Sequence, residues 1–572
     1  MTGATRRHHH VPVHAPDSVA ALDQPPSPDD PVRPTLRPVD RAPAVRWLSP
    51  TELGRTGLKV LLSLLLGQYV DKREMQDGPT FDQGPYFDHT DAPADEPYWL
   101  DYVADIGDGF DPTYSVASLI ASDIDNNGEG VLRRGSVLVM GGDEVYPTGD
   151  VRGYEQRTTG VYAAALPSHP EPRPVAYAVP GNHDWYDGLT SFHRVFAQSK
   201  DIGGWATQQR RSYFALRLPH GWWLFGLDIS LNTYIDRPQL EYFREVGEQM
   251  ADGDRLILCT AKPAWYHFDQ AKSAGMDQLT HFLKYALAGR DVSIPLILTG
   301  DSHHYARYLT DGHDPQTLIT AGHGGAYLGA THALPDTLDV PQRLADPTAS
   351  RHETRPYERQ SRWPSASRSR RLAARVLWRL PTRNPGLPLL FALFQAGFVS
   401  GIVRDSWSVL VGLIALAVVG SVAFARPARG GTWAKRLWGV SLAVPQIALS
   451  WGIAELCAEF VDDWSEPAVV AAVGGVALVS GYLASELLAL WLLVVDRFGV
   501  NLNELFAAQS IEDYKGFLRM RIDPDGNLTV FPIGIERRVR AWMPGAGDGP
   551  RLVPGAGEQL RPTLIEPPVS IC

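Results

Sequence analysis

The sequence predicts an α/β domain joined to four membrane-spanning helices. Three observations point there. Between Tyr98 and His332, short apolar runs end in clusters of Gly, Asp and His. From Leu387 to Val495, four long stretches are apolar on every face. Beyond them the chain turns polar again and carries a hairpin pattern. The bulk composition agrees. Of 572 residues, 44 % are hydrophobic and 20 % charged, which fits folded protein rather than a disordered or collagen-like chain. Lys and Arg number 53 against 64 Asp and Glu, a net charge of −11, so no basic excess is present to hold a nucleic-acid backbone. Cys259, Cys457 and Cys572 lie far apart. They make neither a disulfide framework nor a cysteine-rich zinc site, and they suit a reducing compartment.

Residues 1–50 are rich in Pro, Asp, Arg and His and read as a disordered tail without the apolar core of a secretory signal. Residues 51–97 read as a helical lead-in, whose run Lys59–Leu66 is too short to cross a bilayer and suits a buried or membrane-skimming helix. The stretch 98–340 forms the α/β domain. Its continuous apolar runs suit strands covered on both faces. They are Ser136–Met140, Val175–Val179, Arg255–Cys259 and Ile294–Leu298. Each is followed by a polar cluster, as expected for a site on loops at one sheet edge. Tyr213–Leu218 and Trp222–Leu227, joined at Pro219-His220-Gly221, read as a hairpin. Residues 341–384 carry eleven arginines against few acids and read as a basic linker.

Residues 385–495 hold four candidate spans, Leu387–Val403, Trp407–Ala425, Leu437–Ala454 and Ala468–Val495, each near or above the ~17–25 residues a spanning helix needs. A buried helical domain would need polar stripes at helical spacing, and these segments have none. The connections alternate. Arg370, Arg371, Arg375, Arg379 and Arg383 precede the first span, and Arg426, Arg429, Lys435 and Arg436 separate the second from the third. The loop between the third and fourth is acidic. Basic connections collect on the cytoplasmic side, so a multi-pass cell-membrane protein is expected, with the α/β domain and the C-terminus cytoplasmic. In residues 496–572, Phe517–Ile522 and Leu528–Phe531 flank a Pro/Gly turn and form a hairpin. Two strands so short are unstable alone, so they are expected to pack on the α/β domain or the linker.

Four clusters carry chemistry: Asp105-Ile106-Gly107-Asp108, Gly142-Asp143, Gly181-Asn182-His183-Asp184 and Gly300-Asp301-Ser302-His303-His304. Taken singly, Asp105 and Asp108 are equally well explained as turn or cap residues. Together, carboxylates, an amide oxygen and imidazole suit divalent ions such as Mn, Fe, Mg or Zn. Two ions about 3.5–4 Å apart can clamp a phosphoryl oxygen during in-line attack. The order and spacing resemble the calcineurin-like metallophosphoesterases, whose pattern is D-x-H, G-D-x-x, G-N-H-[DE], a later His and G-H-x-H. The resemblance covers about Asp101 to Gly325.

The resemblance implies a β-sandwich flanked by helices, with metals at the strand ends. It implies that Asp143 bridges two ions, that Asn182 holds the second, and that Asp105 and His303 hold the first. His183 would act on the leaving oxygen, oriented by Asp184. Three positions depart from the pattern: Gly107, Ala261 and Asp301 stand where it has His. Asp108, in the same loop as Gly107, is the expected substitute there, and Asp301 supplies a carboxylate in place of the imidazole. Lys262 is a candidate contact for a substrate phosphate and His304 for a secondary ligand.

The expected activity is metal-dependent hydrolysis of a phosphate ester or pyrophosphate at the membrane, with one or two ions, Mn, Fe or Mg, per chain. The expected partners are the phosphorylated substrate and membrane lipids. The alternative is a degenerate phosphoesterase-like domain used for binding or scaffolding. A transporter fits less well, because the spans hold little charge beyond Glu486.

Overall fold

The computed structural model describes residues 39–55, 57, 84–93, 95–126, 130–229, 235–267, 274–312, 314–346, 349, 353–461 and 465–571. The residues from Asp40 onward belong to one unit. Most of the Pro-rich tail and the run Lys59–Leu66 lie outside the described residues.

Among the described residues the chain builds two large sheets, besides two two-stranded ribbons. Strands β1 (Phe87–Asp88), β2 (Tyr98–Val103), β3 (Val137–Met140), β4 (Val175–Ala178), β5 (Ala206–Thr207), β6 (Phe214–Leu218), β7 (Trp222–Leu227), β8 (Arg255–Thr260), β9 (Ser293–Thr299), β10 (Tyr305–Leu309), β11 (Thr317–Ala321), β12 (Thr337–Pro341) and β13 (Thr354–Trp363) precede the apolar helices. Strands β14 (Lys515–Ile522), β15 (Leu528–Ile535), β16 (Thr563–Leu564) and β17 (Val569–Ile571) follow them. The nine-stranded sheet runs β1-β6-β7-β8-β9-β11-β10-β13-β12, and the other β16-β15-β14-β2-β3-β4-β5, with β17 also on β15. Strands β2, β3 and β4 are mutually parallel, as are β7, β8, β9 and β11. The runs read as buried strands form these parallel centres, and the hairpin expected at Pro219-His220-Gly221 is β6–β7.

The sheets pack face to face. Leu100, Tyr102, Val139 and Tyr177 meet Leu216, Leu224, Ile257, Leu298 and Ile319 in one core. The outer face of the nine-stranded sheet is covered by α3 (Arg237–Gly247) and α4 (Ala274–Ala286), which bury Phe243, Val246, Leu279, Phe282 and Leu283 on Phe225 and Leu258. Helix α3 opens on Asp236, whose carboxylate accepts from the Gln239 amide. On the other sheet, α1 (Phe110–Ile120) lies over β14, and α2 (Gly160–Ala165) follows nearby.

One expectation holds and two are corrected. First, the C-terminal hairpin packs on the α/β domain, as expected. Strand β14 pairs with β2 along Leu518–Ile522, so the centre of the second sheet comes from beyond the apolar helices. Leu518, Met520, Ile522, Leu528 and Val530 enter the inter-sheet core, and their period-2 apolar pattern is what drives them there. Second, the basic linker is ordered. Strand β13 pairs with β10 and β12, and α5 (Ala366–Ala373) and α6 (Val376–Arg383) follow. Its arginines find acceptors distant in sequence, Arg359 on Asp336 and Arg355 on the carbonyls of Asp311 and Asp314, which is why a charge count hid the strand. Third, the end of the tail is packed: Ala42, Val45 and Leu48 are buried.

Among the described residues, four helices are long and apolar enough to cross a membrane. They are α7 (Gly386–Val403), α8 (Trp407–Phe424), α9 (Gly431–Val461) and α10 (Glu466–Val495). The third expected span begins six residues earlier than its apolar run, because α9 continues through Lys435 and Arg436. Helix α11 (Leu502–Ala507) leads back into the sheet.

Candidate active site

The polar clusters lie where the parallel strands end. Asp105 follows β2, Asp143 follows β3, Asn182 and His183 follow β4, Lys262 follows β8, and Asp301 and His303 follow β9. Both sheets therefore deliver side chains to one edge. Asp105, Asp143, Asp301 and His303 all have φ between 53° and 64°. Four non-glycine residues in the left-handed region, each costing on the order of 1–3 kcal/mol, mark a place held against local preference.

The centre is a tyrosine that the sequence motifs did not single out. The Tyr146 hydroxyl lies 3.2 Å from Asp105 Oδ1, 3.3 Å from Asp143 Oδ2 and 3.1 Å from His303 Nε2. The His303 ring also donates to the Tyr327 backbone, which leaves Nε2 as the lone-pair nitrogen. One phenolic proton thus faces three acceptors. Asp105 Oδ2 is buried with no hydrogen-bond partner among the described residues. Burial, then Asp143 and Asp301, push the Asp105 carboxyl well above its usual range. Burial raises Asp143 too, against the opposing pull of His183. Burial holds His303 well below its ordinary value, so the ring is neutral and ligand-like. The donor set is rich in oxygen, and its buried, crowded carboxyls hold protons more tightly than usual.

Carboxylate, phenol and imidazole are donor types that a divalent cation accepts. With bonds of about 2.1 Å, adjacent ligand atoms in an octahedron lie ~3 Å apart, close to the separations around Tyr146. Among the described residues, no three His, Cys, Asp or Glu side chains make a metal-binding group by themselves; the phenol is what joins these three. Its signal in the sequence was its position, three residues after Asp143 in Gly142-Asp143-Glu144-Val145-Tyr146.

The structure separates the other predicted residues by role. Asp108 is not beside the others as a substitute ligand. Its carboxylate accepts from the Val45 and Tyr327 amides at 2.8 and 3.1 Å and from Trp47 Nε1 at 3.4 Å, latching the N-terminal segment over the site. Gly107 has φ 71°, and a Cβ there would lie 2.3 Å from the Glu144 carbonyl oxygen, so no imidazole fits. Asp184 does not orient His183. It accepts from the Gly181 and Glu144 amides and from Tyr154, fixing the turn. Burial, then Asp143, raises its carboxyl to about 7. His183 is held instead by the Pro147 carbonyl, which accepts from Nδ1 at 2.7 Å, and its backbone amide donates to Asp143 Oδ1 at 2.9 Å. The same closeness excludes a side chain at Gly181, whose Cβ would sit 2.1 Å from Asp143 Oδ1.

Asn182 Nδ2 donates to Tyr186, turning its amide oxygen the other way. Asp301 donates its backbone amide to Asp105 Oδ1 at 3.0 Å, and its carboxylate faces Lys262 Nζ at 4.0 Å. That lysine side chain is 61 % exposed, so the pair forms the rim. His304 gives Nδ1–H to the Ser302 carbonyl at 2.6 Å, and burial lowers it to about 4, so it braces the loop. Two aromatic rings wall the site. Trp47 stands 5.6 Å from the His183 ring and 5.7 Å from Tyr146, and Tyr327 stands 4.4 Å from His303. Trp47 was hidden in the sequence because its surroundings read as tail.

No protein-family model and no curated protein matches the chain.

Proposed function

We propose that the chain is a membrane-anchored, metal-dependent phosphoesterase. The observation that carries this is the convergence of Asp105, Asp143 and His303 on the Tyr146 hydroxyl at the strand ends. The resemblance of the Gly181–Asp184 turn and its companions to the calcineurin-like metallophosphoesterases supports it. Asp105, Asp143, Tyr146 and His303 would hold one ion. A second position has poorer support: Asn182 faces it, but Ala261 brings no donor, and its Cβ already sits against Gly142. A bound divalent ion supplies positive charge for the phosphoryl oxygens and acidifies water.

The chain's own groups do the rest. His183 donates Nδ1–H to Pro147, which leaves Nε2 to face substrate; in the doubly protonated ring Nε2–H would pass its proton to the leaving oxygen, and the proton released by the attacking water restores it. Its amide bond to Asp143 ties that proton donor to the ligand set. Trp47 and Tyr327 exclude water from behind the ligands. Lys262, beside Asp301, offers a point charge to phosphate at the rim. The basic connections argue that this domain is cytoplasmic. The test is metal content and Mn-dependent hydrolysis of an aryl phosphate diester by purified protein. One ion per chain and hydrolysis lost in His183→Ala with metal retained are expected. A wild-type rate in His183→Ala refutes the assignment.

A further inference from the structure

The site is built onto the ends of the apolar helices. Trp47, which walls His183, is followed at once by Leu48, whose amide donates to Asn384 Oδ1 at 3.1 Å, two residues before α7 begins. Pro50 then sits against Gly386, the first residue of α7. Three residues of chain thus separate the wall of the site from the first span, at most about 11 Å. The opposite wall has the same attachment. The Tyr327 hydroxyl donates to Asn503 Oδ1 on α11 at 2.6 Å. His332 meets Asp496, the residue after α10, at 2.8 Å. Leu48 and Tyr327 share one apolar cluster with Leu387, Leu488, Trp491 and Leu492.

The surface around these helix ends is basic and aromatic. Arg371 on α5, Arg375 in the turn after it and Trp378 on α6 are exposed, Trp378 by 56 %, and no acid lies between Ala366 and Arg383. Trp433, 72 % exposed, stands beside Lys435 and Arg436 at the start of α9. Exposed Trp flanked by Arg belongs at the headgroup level of an anionic leaflet. Headgroups occupy roughly 5–8 Å beyond the hydrocarbon on each side, a layer that overlaps the reach from α7 to Trp47.

We infer that the substrate is a membrane lipid carrying a phosphate ester or pyrophosphate, hydrolysed while its apolar tail stays in the bilayer. The inference rests on the phosphoesterase reading above. Water supplies the oxygen that bonds to phosphorus, the bond from phosphorus to the leaving oxygen breaks, and the proton released by water ends on that leaving oxygen. No oxidant or reductant is needed.

The experiment uses the full chain in lipid nanodiscs with manganese. Long-chain substrates are compared with water-soluble counterparts bearing the same headgroup: dioleoyl phosphatidic acid against glycerol phosphate, dioleoyl phosphatidylglycerol against glycerophosphoglycerol, and farnesyl pyrophosphate against isopentenyl pyrophosphate. An aryl phosphate diester monitors the underlying chemistry. At least one long-chain member should exceed its counterpart tenfold in kcat/KM. The triple variant Arg371→Glu, Arg375→Glu, Trp378→Ala should lower the lipid-to-aryl ratio at least tenfold. Soluble counterparts turning over as well as every lipid, or a triple variant that leaves the ratio unchanged, overturns the lipid substrate while the aryl activity preserves the phosphoesterase. Absence of aryl and lipid hydrolysis with metal supplied overturns both.

Discussion

Arg519 on β14 is the most informative single residue to perturb. It is fully buried and faces Asp101 directly across the β2–β14 pairing. Its guanidinium donates to both Asp101 oxygens at 2.8 and 3.1 Å. It also donates to the carbonyls of Ser122 and Leu132 at 3.0 and 2.9 Å, and to those of Leu119 and Ile120 at the end of α1. One side chain therefore ties the C-terminal hairpin, β2 and the outer helix together. Burial still outweighs the guanidinium and holds the Asp101 carboxyl above its usual range. The pair as a whole thus adds little net stability, but breaking it leaves a buried charge alone. Arg519→Met should cost about 3–5 kcal/mol. Adding Asp101→Leu should recover most of that, because the stranded carboxylate is gone. Denaturant unfolding of the full chain in detergent, followed by tryptophan fluorescence, reads both. A loss below ~1 kcal/mol in the single variant, or a double variant as unstable as the sum of its singles, refutes the argument that β14 closes the sheet through this pair.

Lys515 is fully buried, its Nζ has no hydrogen-bond partner among the described residues, and burial pushes it from 10.5 to about 8. A depressed amine costs the fold below pH 8, and the cost fades as pH rises from 8 toward 10.5, so Lys515→Met should stabilise by about 3 kcal/mol at pH 7 and by less at pH 9; equal melting temperatures for both proteins at pH 7 would count against it. Tyr146→Phe should weaken manganese binding at least tenfold, measured by calorimetry, since it removes the oxygen that joins Asp105, Asp143 and His303. Asp301→His should leave the Zn-to-Mn affinity ratio unchanged, because Asp301 stands at the rim beside Lys262 and outside the four groups that would hold the ion; a shift toward Zn in metal titration would put it in the ligand set. Reporter fusions at Glu466 and at Ile571 should read external and cytoplasmic respectively; the reverse at either point breaks the four-span topology.

By itself the sequence determined everything that depends on local pattern. The parallel strands were legible because apolar runs buried on both faces need no partner to be recognised. The four long apolar helices were legible because bilayer thickness fixes the length of apolar run to look for. The strand-end clusters placed Asp105, Asp143, His183 and His303 at one edge because polar residues ending an apolar run sit at the tip of a strand.

Tertiary structure alone decided which of those residues face one another. Asp108 and Asp105 share a loop, yet a left-handed turn at Gly107 sends one carboxylate to Val45 and the other to Tyr146. Asp184 follows His183 directly but serves the backbone of its own turn. The linker's arginines concealed a strand, since charge density carries no information about acceptors distant in sequence. Most of all, the pairing of β14 with β2 joins residues about 400 positions apart. An eight-residue strand is too short to specify its partner by local preference. Burial of Leu518, Met520 and Ile522 between the sheets, with Arg519 matched to Asp101 on the other face, selects that neighbour, and only the assembled sandwich supplies both faces.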